Sequence, residues 1–385
     1  MLGVTFKRTI VVSAVAVREG GELELLRQCL QHLSKMASDG RTRVVALVCD
    51  RSLCDFPHIE YKEYPLAVLS VKARRKCEYK QMYWDSVLMS EQDDKPIDLW
   101  LSMFDMTPVV QAACRATFCY NAFPWLKVRP RDWMMDRTIP LSVRAAKTAY
   151  RRNIGKNDYL VVRQDALRQN LARTFRTDPA RTIVFPAKGH RAPERIDVPA
   201  KSAYTFFIPS TPDCYKNFET ACEAARLLEL EIGRRRFRAE FTVRGEDNKY
   251  GWWLKSNWDH VDSIHFAGWQ SPARLWGWYE AADCLIYPSL AENWGRPITE
   301  FAPSGKPMLL ADLPYAHEAA AGAPRVAFFP DDSPEKLKEL MKALVLGDKR
   351  VLSPAPYRHI DDPKVVDWEE LFHFLLPDDD PEALK

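Results

Sequence analysis

Several common assignments are removed by what this 385-residue sequence does not contain. No apolar run approaches the ~20 residues needed to cross a bilayer, so any membrane contact is expected to be peripheral. The nine cysteines are scattered and include no C-x-x-C pair. Many lie inside apolar runs, where a thiol serves as a small hydrophobe, and a reducing cytoplasm is the expected location. The eight histidines form no H-x-x-x-H pair and no Cys/His cluster at metal spacing, so no metal site is predicted. A G-x-G-x-x-G fingerprint is also missing. The 55 basic and 52 acidic residues leave a net charge of +3, which gives no general electrostatic case for nucleic acid as a partner.

What is present fits a water-soluble α/β protein. Hydrophobic residues make up 46% and charged residues 28% of the chain, and its length suits two domains rather than one core. Lys7 to Val17 has the outline of a short signal peptide, but it ends in Arg18-Glu19-Gly20-Gly21 without a cleavage site, and it reads better as a buried strand. Thr9–Val17, Arg43–Cys49 and Ile97–Phe104 are apolar, β-branched runs separated by charged helical stretches, as in parallel sheets with crossover helices. Tyr159–Val162 and Thr182–Phe185 continue the series, which closes near the linker-like Pro186–Pro199. A second series follows: strands at Ala203–Pro209, Ala239–Val243, Ser263–Phe266, Cys284–Tyr287 and Pro307–Ala311, with helices at Asn217–Glu231, Arg274–Ala282 and from about Pro297. Two such series predict two Rossmann-like, doubly wound domains, 1–195 and 200–360, facing a central cleft. Residues 361–385 are expected to form an amphipathic helix that packs back, through Trp368, Leu371, Phe372, Leu375 and Leu376, and an acidic tail.

Ligands bind such sheets at the carboxyl ends of the strands. Glu292 and Glu300 lie there, one in the loop after Tyr287-Pro288-Ser289 and one in the helix that begins around Pro297. A helix N-terminus with two carboxylates suits a diphosphate beside sugar hydroxyls. Taken alone, two glutamates at this spacing are ordinary surface features.

Their surroundings are not ordinary. Y-P-S-L-A-E-N-W-G-R-P-I-T-E (Tyr287 to Glu300), followed by Ser304-Gly305-Lys306-Pro307 and by Ala311-Asp312-x-Pro314-x-x-x-Glu318, resembles the E-x7-E region of the retaining GT-B glycosyltransferases of family 4, the glycosyl transferases group 1 type. The likeness extends back through Phe266-Ala267-Gly268-Trp269 and Leu275-x-x-x-Tyr279-x-x-Ala282-Asp283, over about the last half of the chain. It implies that Glu300 binds the ribose of a donor nucleotide, that Glu292 binds the hydroxyls of the transferred sugar, and that backbone at Asn293, Trp294 and Gly295 meets sugar and phosphate. Ser210 to Phe218 is similar to the family's phosphate-binding loop, which supplies an Arg and a Lys. Lys216 matches the Lys, whereas Thr211 stands in the place of the Arg. A hydroxyl cannot replace a bidentate, permanently charged clamp. Either Arg244 compensates or donor binding is weak, and Arg244-Gly245 reads equally as an ordinary turn.

Further candidates lie in the first half. Gly20 and Gly21 follow the first strand, where glycines let backbone approach a ligand. Asp105 ends the third clear strand, as an orienter of an acceptor hydroxyl or, equally, as a turn former or helix cap before Thr107-Pro108. Tyr120-Asn121 and Arg163-Gln164, at later strand ends, are weaker candidates of the same kind. From Phe123 to Arg152, basic residues mix with Trp125, Trp133, Met134 and Met135, which suits an anionic membrane surface or a phosphorylated lipid acceptor, or equally a long loop and helix packed on its own domain.

The resulting expectation is a metal-independent hexosyltransferase without a cofactor. Its donor would be a UDP- or GDP-hexose and its acceptor a glycan or lipid-linked saccharide of a cell envelope. It would be cytoplasmic, with peripheral membrane contact through 123–152. The Asp-x-Asp that metal-assisted transfer needs occurs only as Asp378-Asp379-Asp380, in the acidic tail. The competing readings are a nucleotide-linked oxidoreductase, which lacks the glycine fingerprint, and a catalytically silent sugar-nucleotide-binding protein, suggested by Thr211 and by Phe104, which stands next to Asp105 where enzymes of the resembled family often place a His against the donor sugar.

Overall fold

A computed structural model of the chain describes residues 6–64, 71–105, 108–187, 192–201 and 203–376, without the side chains of 71–75. Met106, Thr107, part of the Pro186–Pro199 linker and the Asp378–Asp380 run lie outside the described residues. The chain divides into two compact units. One comprises Met1–Asn121, Thr148–Pro186 and Ile360–Lys385, and the other Ala122–Lys147 and Ala187–His359. This differs from a single crossing near residue 195, because the basic segment from 122 to 147 packs within the second unit and the terminal helix within the first.

The first unit holds a seven-stranded parallel sheet in the order β3-β2-β1-β4-β5-β6-β7. Its strands are β1 (Arg8–Ala14), β2 (Thr42–Val48), β3 (Glu60–Glu63), β4 (Ile97–Ser102), β5 (Ala112–Cys119), β6 (Tyr159–Val162) and β7 (Thr182–Val184). Along β1, Ile10, Val12 and Ala14 join one core and Val11 joins another. Alternate side chains thus enter opposite layers, and a strand covered on both faces reads as a continuous apolar run. Helix α1 (Gly20–Met36) covers one face with Leu26, Cys29, Leu30 and Leu33, while α2 (Val71–Gln92) contributes Met82 and Met89 to the other.

Two more helices belong in chain order: α3 (Pro130–Met135) in the second unit, and α4 (Thr138–Asn153), along which the chain returns to the first. Helix α5 (Asp165–Phe175) then joins β6 to β7. The second unit holds a six-stranded parallel sheet in the order β10-β9-β8-β11-β12-β13. These are β8 (Tyr204–Ile208), β9 (Phe237–Phe241), β10 (Ile264–Phe266), β11 (Cys284–Tyr287), β12 (Met308–Ala311) and β13 (Val326–Phe329). Its helices are α6 (Phe218–Ile232), α7 (Lys249–Trp258), α8 (Pro272–Ala281), α9 (Arg296–Phe301), α10 (Pro314–Ala319) and α11 (Pro334–Val345). Phe206 and Ile208 pack to one side of β8 and Phe207 to the other. The chain ends its described part with α12 (Trp368–Leu375), whose Trp368, Leu371, Phe372 and Leu375 join the α1 side of the first unit's core.

Candidate active site

Strands β8 and β11 are neighbours, so the loops at their carboxyl ends lie side by side. The loop after β11 is fastened by backbone contacts. Leu290 N donates to Tyr215 O at 2.8 Å, and the buried Tyr315 hydroxyl donates to Ser289 O at 2.7 Å. Gly295 ends the loop with φ of 89°, and a Cβ there would meet Ile298 Cδ1 at 3.2 Å, so glycine is required by conformation as well as by space. It caps α9, which has only six residues and therefore a modest dipole. Charge compensation falls mainly to side chains.

Lys216 and Glu292, 76 residues apart in sequence, meet at this edge, with Lys216 Nζ donating to Glu292 Oε1 at 2.5 Å. Their side chains are only 10% and 12% exposed, so the pair is weakly screened. The Tyr287 hydroxyl donates to the same oxygen at 2.7 Å, which leaves Oε2 of Glu292 open among the described residues. Burial, reinforced by the adjacent Glu292 carboxylate, raises the Tyr287 phenol far above its ordinary range and keeps it a donor. The ammonium of Lys216 also sits 4.9 Å from the Tyr215 ring centroid.

The position of Lys216 is set by Asn217, which is fully buried in the left-handed region with φ of 58°. Its Nδ2 donates to Pro288 O at 3.3 Å and to Asp331 O at 2.8 Å. Its Oδ1 accepts from Arg129 Nη1 at 2.8 Å and from Thr220 Oγ1 at 3.1 Å. Three chain segments are thereby knotted beneath the lysine. Asn217, Arg129 and Tyr287 were not singled out as site residues by sequence. The signal for Asn217 was the residue type itself, since asparagine tolerates this conformation and offers donors and acceptor together.

Glu300 is 7% exposed. Its Oε2 accepts from Tyr279 OH at 3.0 Å, and its Oε1 pairs with Arg296 at 3.3 Å. Trp294 is buried, its indole N–H donating to Thr299 Oγ1 at 3.2 Å, while Asn293 is half-buried beside Glu292 in sequence. Thr211 is exposed, and its hydroxyl donates to Asp213 Oδ2 at 2.6 Å, so the residue in the place of the Arg is turned toward an acid. Arg244 is exposed at the end of the β9 segment, and its side chain crosses Gly268, where a Cβ would come within 2.2 Å of its Nε. The structure thus places Arg244 and Lys216 after adjacent strands, β9 and β8.

In the first unit, Gly20 and Gly21 are exposed at the start of α1, Gly20 with φ of 71°. Asp105 has φ of 35°, and its Oδ1 accepts from the Tyr150 hydroxyl and from Tyr120 N. Its own N–H donates to Phe118 O at 2.9 Å. Asp105 therefore ties the end of β4 to β5, the geometry of the turn-forming alternative. In the basic segment, Arg129 and Arg131 both pair with Glu219, so these two charges are used within the unit. Among the described residues, no group of three His, Cys, Asp or Glu side chains is placed to hold a metal ion, and no helix is long and apolar enough to cross a membrane.

Comparison with known proteins bears on the fold and on the second unit. Residues 205–346, within the second unit, match the family described as Glycosyl transferases group 1. No curated protein is significantly similar to the chain in sequence. Among solved structures, sucrose-phosphate synthase from Thermosynechococcus elongatus superposes with a TM-score of 0.61 at 14% identity, over 89% of this chain and 92% of that one. WaaG, a glycosyltransferase involved in lipopolysaccharide biosynthesis, gives 0.59 at 16% identity, over 88% and 90%. HepE from Anabaena, in complex with UDP and glucose, gives 0.57 at 12% identity, over 89% and 91%. The chain has the GT-B glycosyltransferase fold, with two parallel α/β sheets.

Proposed function

We propose that this chain transfers a hexose, with retention at the anomeric carbon, from a UDP- or GDP-hexose to a hydroxyl of a glycan or lipid-linked saccharide, as in cell-envelope polysaccharide synthesis. The observation that carries this reading is the nearly buried Lys216–Glu292 pair at the carboxyl ends of adjacent strands, inside the segment that matches the glycosyltransferase family. Lys216 keeps two N–H donors beyond Glu292 for the departing diphosphate, and Glu292 Oε2 accepts from a sugar hydroxyl. Glu292 then positions the sugar and does no acid or base work. Glu300 accepts from the ribose in exchange for its exposed contact with Arg296, and Arg244 supplies the guanidinium that Thr211 does not.

The bond between anomeric carbon and phosphate oxygen breaks as the acceptor oxygen attacks from the same face. The leaving phosphate takes the acceptor proton. Stabilisation of that phosphate by Lys216 and loop amides is the main catalytic term. No metal is needed in this scheme, so EDTA should leave the rate unchanged. Membrane contact is proposed for the part of 122–147 that is not paired internally. Trp133, Met134 and Leu141 are 48%, 66% and 56% exposed. A recess of about 730 Å³ lies beside Arg137 and Lys249, a combination that suits an anionic lipid surface. We place the protein in the cytoplasm.

A panel of UDP-, GDP- and dTDP-sugars tests the donor assignment through thermal stabilisation, since a ligand of the folded state raises the apparent Tm by mass action. Selective stabilisation by UDP- or GDP-hexose, lost in Lys216→Met, supports the reading; no stabilisation by any member contradicts it. One observation favours a second reading: the Thr211 hydroxyl is held by Asp213 and provides no clamp. A catalytically silent protein would bind a donor and neither hydrolyse nor transfer it.

A further inference from the structure

At the carboxyl edge of the first unit's sheet, two buried hydrogen-bond donors lie side by side with nothing to donate to. Cys119 of β5 pairs in register with Val162 of β6, so Tyr120 and Arg163 emerge together from adjacent strand ends. Tyr120 is 6% exposed. Its hydroxyl and Arg163 Nη1 are both buried with no hydrogen-bond partner among the described residues, and Arg163 forms no ion pair there. The guanidinium instead lies 5.1 Å from the Phe185 ring centroid. Phe118 and Phe104 stack on Tyr120 at 5.7 and 6.2 Å, completing an aromatic wall.

A cation removed from water without a counter-charge is costly. Burial accordingly pushes Arg163 down to about 10. The chain's other enclosed arginines avoid this cost. Arg168 pairs with Asp165 at 2.5 Å and donates to Asp361 O at 2.8 Å, and Arg129 is shared among Asn217, Asp132 and Glu219. Burial raises the Tyr120 phenol, and Glu22, in the first turn of α1, and Asp105 add to it, yet neither forms an ion pair with Arg163. A water molecule would satisfy the phenol but would bring no charge. What both donors lack is one acceptor carrying negative charge, at the sheet edge where α/β folds bind ligands.

We infer that Tyr120 and Arg163 form a receptor for an oxyanion, a phosphate or carboxylate borne by the acceptor. The word acceptor rests on the glycosyltransferase reading; the anion site rests on the first unit alone. The planar guanidinium grips two oxygens while the phenol donates to one of them. Such an acceptor would be a sugar phosphate, a phosphorylated lipid or an acidic sugar, and not a neutral glycan.

Calorimetric titration of the full chain with inorganic phosphate and with glucuronate tests this. In the native protein at least one probe should bind saturably, and the one that binds identifies the oxyanion. Arg163→Met should weaken it about tenfold or more, Tyr120→Phe should weaken it less, and Lys216→Met should leave it in place. Arg163→Met should also hold or raise Tm without ligand, because an uncompensated buried charge is gone; a merely structural arginine would lower it. If Arg163→Met fails to fold, Tyr120→Phe carries the test. The inference is overturned if neither probe binds, if neither variant changes binding beyond about twofold, or if Lys216→Met abolishes it. Absence of donor hydrolysis would leave this binding untouched, and absence of this binding would leave the donor site standing.

Discussion

The carboxyl edges of the two sheets handle charge in opposite ways. In the second unit the nearly buried charged groups of the proposed donor site have internal partners, Lys216 with Glu292 and Glu300 with Arg296, while Arg244 is exposed. In the first unit Arg163 is half-buried, its Nη1 buried with no partner among the described residues. A self-neutralised edge holds its shape when empty, and its ligand must exchange with existing contacts. An edge with orphaned donors is completed by what it binds. The difference suits a donor common to many transferases on one side and a particular acceptor on the other.

Unpairing the second unit's edge should have the largest effect. Lys216→Met leaves the Glu292 carboxylate nearly buried beside Tyr287 and should cost about 3–5 kcal/mol of stability. Adding Glu292→Leu should recover most of that loss, and a urea double-mutant cycle measures the coupling. Asn217→Ala comes next. It strands Pro288 O, Asp331 O and the Arg129 donor, and should cost about 2–4 kcal/mol in the same assay. Gly295→Ala forces a side chain to φ of 89° against Ile298, for about 1–3 kcal/mol. The smallest change is expected for Glu300→Gln, which keeps an acceptor for Tyr279 and loses the charge of the half-exposed Arg296 pair. Its stability should shift by under about 1 kcal/mol, while nucleotide affinity, read by calorimetry, falls. A large stability loss there would mean that Glu300 is a structural residue.

Sequence pattern revealed those strands that are buried on both faces. β1, β2 and β4 are mostly apolar along their length because each face meets a core. β5 is not evident in the sequence because Ala112–Cys119 mixes small residues with Arg115, and its buried residues are confined to its second half. β3, Glu-Tyr-Lys-Glu, is a charged edge strand of the kind that discourages further pairing, and its composition resembles a loop. β13 is four residues long and follows Ala-Gly-Ala-Pro-Arg.

The candidate site divides along the same line. Glu292 and Lys216 stand in recognisable local motifs, whereas their meeting depends on the adjacency of β8 and β11, which no local window contains. Asn217 matters through its backbone conformation and Tyr287 through a hydroxyl that turns back from a strand end, and neither property is written in spacing. Tyr120 and Arg163 could be named as strand-end residues; that both lack partners is a property of packing. The segment from 122 to 147 departs furthest from expectation, because Arg129 and Arg131 look like surface charge until Glu219, 88 residues beyond Arg131, is brought to them.

The central claim is that Lys216 and Glu292 stabilise a departing nucleoside diphosphate and position its sugar. Release of nucleoside diphosphate from the stabilising nucleotide sugar, followed in the native chain, Lys216→Met and Glu292→Gln, tests it most directly. The account predicts slow release by the native protein that falls by about 10² or more in each variant, while both remain folded by circular dichroism. Release at the native rate in either folded variant, or tight donor binding with no release and no transfer to any acceptor, would contradict it.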